Sequence, residues 1–365
     1  MGFKGKMMDF ARGFFIFADY VFWMIFDFSK FKKIDNNKIK KAAIIHSGAI
    51  GELLATTPIV KTLKDKLNCE IHYMLSPGRE AIFKGNPNIS KFYEIKGFKE
   101  NLKLMKREKY DLVVILWPGS LNISFAAFLA GIKYRIGCFK MVKEGPAFFF
   151  TRRWWPFKGL NQHSIISNLD MIKLIGIENK EPRIEFYYTK SDEKKVDIFL
   201  KKNNIKEYVI LHPGFGGKNK NKSYSRYWPE EVYANICNYL SKKNKKIIIT
   251  GINEEKETAE KIILLSKSKN IINTCGMFSL QELAALVKKA DLVVAPDTSI
   301  VHIASTCGTR VVDLIGDSNP VLWHPWMEKE KYRIIRHPYF DNSNIDNKSY
   351  NNKLKEIKIA IDGLL

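Results

Sequence analysis

Apolar and polar positions along this chain recur at two different periods, and each change of period marks an element. From residue 42, "AAIIH" is a short apolar run, residues 51–66 have helical spacing, "EIHYML" is strand-like, and "YDLVVILW" reads as a strand buried on both faces. After a polar stretch at 188–206 the pattern restarts: "YVILHPG", a helix from Pro229 to about 242, "KIIITG", and a helix over 254–267. "LQELAALVKKA", "DLVVAPD", a helix from 299 and "RVVDLIG" continue it. The terminal "NNKLKEIKIAIDGLL" predicts one more amphipathic helix, and "GGKNKNKS" at 216–223 an exposed loop. Strands that alternate with helices form parallel sheets with helices on their faces, so two separate α/β units are expected.

Length and composition agree with that division. A chain of 365 residues fits two domains of ordinary size, and its 45% apolar content supplies real cores. The formal charge of +22 implies an anionic partner such as nucleic acid, nucleotide phosphates or an acidic membrane face. Cys69, Cys138, Cys237, Cys275 and Cys307 are scattered without paired spacing, which argues against a disulfide framework or a zinc site and for a reducing cytoplasm.

Two segments lean towards a membrane. In "DFARGFFIFADYVFWMIFDFSKFKK", Arg12, Asp19 and Asp27 recur at intervals of seven and eight residues and form one narrow polar stripe on a helix. Its ten Phe, Ile and Val residues between 10 and 28 offer roughly 3 to 6 kcal/mol towards insertion, against about 2.5 to 3.5 kcal/mol lost to a central Asp. An interfacial helix with Lys30, Lys32 and Lys33 near anionic head groups fits that balance better than a span. No small-residue cleavage site follows, so a removed signal peptide is not expected. The second segment, "GPAFFFTRRWWPFKG" at 145–159, sets Phe148, Phe149, Phe150, Trp154 and Trp155 around Arg152 and Arg153. It reads equally as a loop dipping into an interface and as a buried loop over the core.

In open parallel sheets, ligands sit beyond the carboxyl ends of strands, where helix N-termini offer free N–H groups to anions. Four polar stretches fall at such places. "HSGAIGELLATTP" carries His46, Gly48 and Gly51 for a tight turn, and Glu52 at a helix start, where a carboxylate can act as a general base or simply face the helix dipole. "LHPGFGG" is a second glycine turn, and "SRYWPEE" puts Arg226 just before a helix, a place from which it can hold a phosphate. "TGINEEKE" offers Glu254 and Glu255 to ribose hydroxyls. In "APDTSIVH", Asp297 ends a strand, Thr298 and Ser299 open a helix, and His302 lies one turn on; together they can grip a diphosphate and a sugar hydroxyl. Each has a plainer reading as an N-cap, an acidic first turn or a structural histidine.

Taken in order, these stretches resemble glycosyltransferase family 9, the ADP-heptose:lipopolysaccharide heptosyltransferases, over roughly residues 40–327. "HSGAIGE" is similar to that family's "R-L-G-A-I-G-D", "LHPG" to its "H-P-G", "RYWP" to "K-x-W-P", "DTSIVH" to "D-T-G-x-x-H", and "LIGDSNPVLWHPW" to "L-F-G-x-T-x-P-x-x-W-x-P". The resemblance implies a GT-B fold of two Rossmann-like domains facing across a cleft, here with an N-terminal membrane-associated helix. It divides the chain into a membrane helix at 1–38, an acceptor domain at 39–190, a nucleotide-sugar domain at 191–345 and a C-terminal helix at 346–365.

It further implies an inverting transferase without metal or other cofactor. Glu52 stands at the catalytic Asp and would deprotonate the acceptor, with His46, Gly48 and Gly51 on the acceptor side. Arg226 stands at the Lys that neutralises the diphosphate, Glu255 at the ribose acid, Asp297 at the sugar hydroxyls, and Thr298 and Ser299 at the phosphates, with His302 completing the pocket. Four residues depart from the family pattern: His46 for Arg, Glu52 for Asp, Arg226 for Lys and Ser299 for Gly. The expected partners are a nucleotide-sugar donor such as ADP-heptose, a lipid-linked saccharide acceptor and an anionic membrane surface, at the cytoplasmic face of the inner membrane. The alternatives are a UDP- or GDP-sugar donor, a non-catalytic nucleotide-sugar-binding scaffold, or a basic nucleic-acid binder; no nucleic-acid motif supports the last.

Overall fold

The computed structural model describes residues 34–117, 119–138, 149–154, 161–214, 227–340 and 347–365. Most of the expected membrane helix, the basic loop at 216–223 and Arg226 lie outside the described residues. Among the described residues no helix is long and apolar enough to cross a membrane.

The chain divides into two compact units between Arg183 and Ile184. The first holds a six-stranded parallel sheet of β1 (Lys41–His46), β2 (Glu70–Leu75), β3 (Lys91–Glu94), β4 (Leu112–Ile115), β5 (Tyr134–Cys138) and β6 (Arg152–Trp154), in the order β3-β2-β1-β4-β5-β6. The second repeats it with β7 (Tyr208–Leu211), β8 (Lys246–Ile249), β9 (Ile271–Asn273), β10 (Leu292–Pro296), β11 (Val311–Ile315) and β12 (Tyr332–Arg336), in the order β12-β11-β10-β7-β8-β9. This is the Rossmann order in both units: the chain steps outward over three strands, then returns to the other side of the first. The order reverses between β1 and β4 and again between β7 and β10.

The central strands β4, β7, β10 and β11 are buried along their whole length, which is why they read as apolar runs, unbroken except for Asp313 in β11. The edge strands β3, β6, β9 and β12 are partly exposed and mixed in sequence, so no periodicity announces them.

Three expectations are corrected. The helix expected over 51–66 is two, Ile50–Leu54 and Thr57–Leu67. Pro58 in the first turn of the second has no N–H for the Leu54 carbonyl. The Thr57 hydroxyl donates to that carbonyl instead at 2.8 Å, and the Thr56 hydroxyl to Leu53 at 2.7 Å. The division expected at 190 falls earlier, and the polar stretch 188–206 contains the Lys190–Lys202 helix, begun by a Thr189–Asp192 capping box and packed through Val196 and Leu200. Tyr188, with the Lys288 ammonium 5.8 Å over its ring, already belongs to the second unit, so the division precedes residue 190. The terminal helix, Asn347–Asp362, is not separate: Leu354, Ile357 and Ile361 lie in the second unit's core with Trp228, Val312 and Leu314.

In the 145–159 stretch, Phe149 and Phe150 are buried, and Arg152–Trp154 form β6. Those two rings take the reading of a covered loop; residues 145–148 and 155–159 lie outside the described residues.

Candidate active site

Each unit gathers its polar candidates at the carboxyl end of its own sheet, beside the reversal of strand order. There no following strand covers the crevice, and successive helices start with unpaired N–H groups.

In the first unit β1 ends at His46, and Ser47, Gly48 and Ala49 lead into the Ile50–Leu54 helix. Glu52 turns back over that start and accepts from the Ala49 N–H at 2.6 Å. Gly48 does not act through a left-handed backbone, since its φ is not positive. It acts through the side chain it lacks: a Cβ there would fall 2.1 Å from Glu52 Oε2 and 2.7 Å from His46 Nε2. The carboxylate and the imidazole therefore both pack over Gly48. Gly51 lies in the first turn of the helix. The loop is held from β2's side by Ser76, whose hydroxyl donates to the Ser47 carbonyl at 3.0 Å, and by Arg79, which donates to the Gly48 carbonyl at 3.4 Å.

Burial pushes the His46 imidazole down to about 4, so it is neutral at physiological pH, and its Nδ1 is buried without a hydrogen-bond partner. Where the family pattern carries an arginine, this chain has no positive charge.

In the second unit β7 runs into His212, whose backbone N–H donates to Val294 and whose Nδ1 lies 3.0 Å from the Thr250 hydroxyl. Burial keeps this imidazole below its ordinary value against the opposing pull of Glu255. Glu255 is buried, accepts from the Ile252 N–H at 2.8 Å, and sits where a Cβ on Gly214 would come within 2.0 Å of its Oε1. Glu254 is exposed. Packing thus selects Glu255 of the adjacent acids as the one at the strand ends.

Asp297 follows β10, with its side chain 10% exposed. His302, from the Ser299–Cys307 helix, places Nε2 3.9 Å from Asp297 Oδ1. Burial lowers the His302 imidazole, Asp297 opposes that shift and His324 adds to it. Thr298 occupies the N-cap with extended backbone, yet its hydroxyl makes no capping bond and is buried without a partner. Ser299, in place of the family's glycine, begins the helix without positive φ, so its side chain costs no backbone strain. This end presents a carboxylate, an uncommitted hydroxyl and the free N–H groups of a nine-residue helix.

Arg226 is outside the described residues, but Trp228 two positions on is buried and donates its indole N–H to the Leu314 carbonyl at 3.2 Å. Sequence reading missed two residues at these ends, Arg79 and His212, and one inside a strand, Asp313. The last lies in the middle of β11, fully buried, with neither carboxylate oxygen hydrogen-bonded. Burial, with Asp297 adding to it, pushes its carboxyl well above the usual range.

Two Rossmann-like units, the first with an acid and the second with an acid, hydroxyls and a helix start at the strand reversal, are the two domains of a GT-B fold. The same fold is found in a family 9 glycosyltransferase from Veillonella parvula (TM-score 0.74, 18% identity, 91% of this chain and 99% of that one). It is also found in E. coli ADP-heptose LPS heptosyltransferase II (TM-score 0.71, 15% identity, 89% and 98%). In sequence the chain is 26% identical over 301 residues to the lipopolysaccharide core heptosyltransferase OpsX of Haemophilus influenzae, covering 79% of this chain and 82% of that protein. Residues 100–354 match glycosyltransferase family 9 (heptosyltransferase), and the chain belongs to that family.

Proposed function

We propose that this enzyme transfers a heptose from ADP-heptose to a lipid-linked saccharide of the lipopolysaccharide type, with inversion at the anomeric carbon and without a metal ion. The observation that carries the reading is the Glu52 carboxylate, fixed by the Ala49 N–H at the reversal of the first sheet. In this mechanism an acceptor hydroxyl gives its proton to Glu52 and its oxygen bonds to the anomeric carbon. The bond to the diphosphate oxygen breaks on the opposite side, and its electron pair leaves with ADP. The charge on the departing diphosphate is met by the N–H groups at Thr298 and Ser299 and by Arg226, while Asp297 holds sugar hydroxyls and Glu255 the ribose. Fixed donors of this kind need no reorganisation as charge develops. The relatives named for ADP-heptose and lipopolysaccharide support this choice of donor and acceptor.

The test is incubation with ADP-, UDP- and GDP-sugars and a lipid-linked acceptor, with and without a chelator, following nucleotide release and the anomeric configuration of the product. ADP release with an inverted linkage, unaffected by the chelator, is expected. Release from UDP- or GDP-sugars alone overturns the heptose reading.

The donor side has its own prediction. Gly214→Ala drives a methyl group into the Glu255 carboxylate, with all three of its outer atoms at 2.0 to 2.2 Å, and is expected to weaken ADP binding by about tenfold, as loss of one hydrogen bond to a charged group does. Calorimetric titration with ADP checks this, and unchanged affinity removes Glu255 from the nucleotide site.

A further inference from the structure

His212 and Thr250 stand side by side where β7 and β8 end. Leu211 pairs with Ile249 in the parallel register, so these two residues occupy the next rung, and His212 Nδ1 lies 3.0 Å from the Thr250 hydroxyl. That contact fixes the proton on the ring. Thr250 is 2% exposed, and among the described residues its hydroxyl has no partner other than His212, so its hydrogen is given to Nδ1. An imidazole that accepts at Nδ1 carries its own hydrogen on Nε2. Burial holds the ring below its ordinary value, so at neutral pH that N–H is the one donor the side chain has. It makes no hydrogen bond among the described residues, and His212 is partly exposed at the strand ends.

The order of the strands says what this N–H meets. β7 lies between β10 and β8, so His212 stands between Thr298 and Ser299, which follow β10, and Glu255, which follows β8. In the donor reading Thr298 and Ser299 take the diphosphate, and Glu255 takes the ribose. Two steps between neighbouring strands span roughly 10 Å, about the reach of a nucleoside diphosphate from its outer phosphate to its ribose hydroxyls. The group in the middle of that span is the α-phosphate. We propose that His212 is a binding residue of the donor site, whose Nε2–H donates to an oxygen of the nucleotide's α-phosphate. With Nδ1 held by Thr250 the ring presents this donor in one orientation, and a hydrogen bond to an ionised oxygen is roughly twice as strong as one between neutral groups.

This contact rests on the nucleotide-sugar reading of the same site, and the test separates the two. The full chain and its variants are titrated calorimetrically with adenosine, AMP and ADP, and with the uracil and guanine counterparts. His212→Ala is expected to lower AMP and ADP affinity about tenfold, the loss of one hydrogen bond to a charged group, and to leave adenosine within about twofold. His212→Gln, whose amide N–H reaches about as far as Nε2, is expected to restore AMP affinity to within about threefold of the parent. Thr250→Val releases the tautomer and is expected to weaken AMP several-fold with the same sparing of adenosine. Nitrogen NMR of the histidine-labelled parent reads the ring without any substitution and is expected to find the His212 proton on Nε2. A loss equal for adenosine and AMP, no loss for either, or a parent ring protonated on Nδ1 overturns the proposal. A parent that binds only uracil or guanine compounds overturns the choice of ADP-heptose, and the phosphate-dependent split is then read in that series. A parent that binds no nucleotide overturns both.

Discussion

Glu52→Gln is expected to lower turnover at saturating donor by about a hundredfold or more, the usual scale for a lost general base, while leaving ADP affinity within about twofold. Glutamine keeps the length of the side chain and an oxygen that accepts from the Ala49 N–H, now 2.6 Å from the carboxylate, so the start of the helix is preserved. What it cannot do is take a proton. Glu52→Asp keeps the base and draws it back by one methylene, and because a displacement near 1 Å costs on the order of a hundredfold in rate, it too is expected to be slow. Initial rates of ADP release with acceptor present read both variants. Full turnover in the glutamine variant removes Glu52 from the chemistry and leaves it as a helix-start acid.

The second large effect is on stability, and it runs opposite to the usual direction. Asp313→Val is expected to stabilise the second unit by about 1 to 3 kcal/mol in acid, where the carboxyl is neutral folded and unfolded, the cost of a buried polar group without a partner, and by more at neutral pH. Asp313 has no exposed surface, neither oxygen is hydrogen-bonded, and valine, apolar and β-branched, suits a central strand. The sign with pH follows from its raised carboxyl. Folding takes up a proton wherever Asp313 is ionised in the unfolded chain and neutral in the folded one. Stability of the parent therefore falls as pH rises above the ordinary aspartate range, by about 1.4 kcal/mol per pH unit for one group. The variant lacks this slope, so its advantage widens from acid to neutral pH. Hydrogen exchange of the β11 amides across that range measures the difference, and a variant less stable than the parent, or a gap independent of pH, contradicts the account.

How much was legible varied with burial. The two α/β units and their central strands could be read because a strand covered on both faces must be apolar throughout, as "LVVAP" at β10 is. Edge strands such as "KFYE" at β3 leave no such trace. The strand-end positions of Asp297, Thr298 and Ser299 were legible because a polar residue directly after an apolar run falls at the carboxyl end of a strand. His212 and Asp313 were not singled out: each adjoins or interrupts a strand, and nothing local distinguishes a ligand-facing or buried polar residue there from an ordinary one.

Residue order by itself determined the periods of its elements, hence two Rossmann-like halves, and the succession of motifs that places the chain in its family. Both depend on neighbours within one strand or turn. Tertiary structure decided what depends on residues far apart: that Glu255 and not Glu254 lies against Gly214, that Gly48 serves by leaving room for Glu52 and His46, and that the last helix completes the second core. The physical reason is that burial, and with it charge state and close packing, belongs to a position in space, and only the packing of distant segments creates that position.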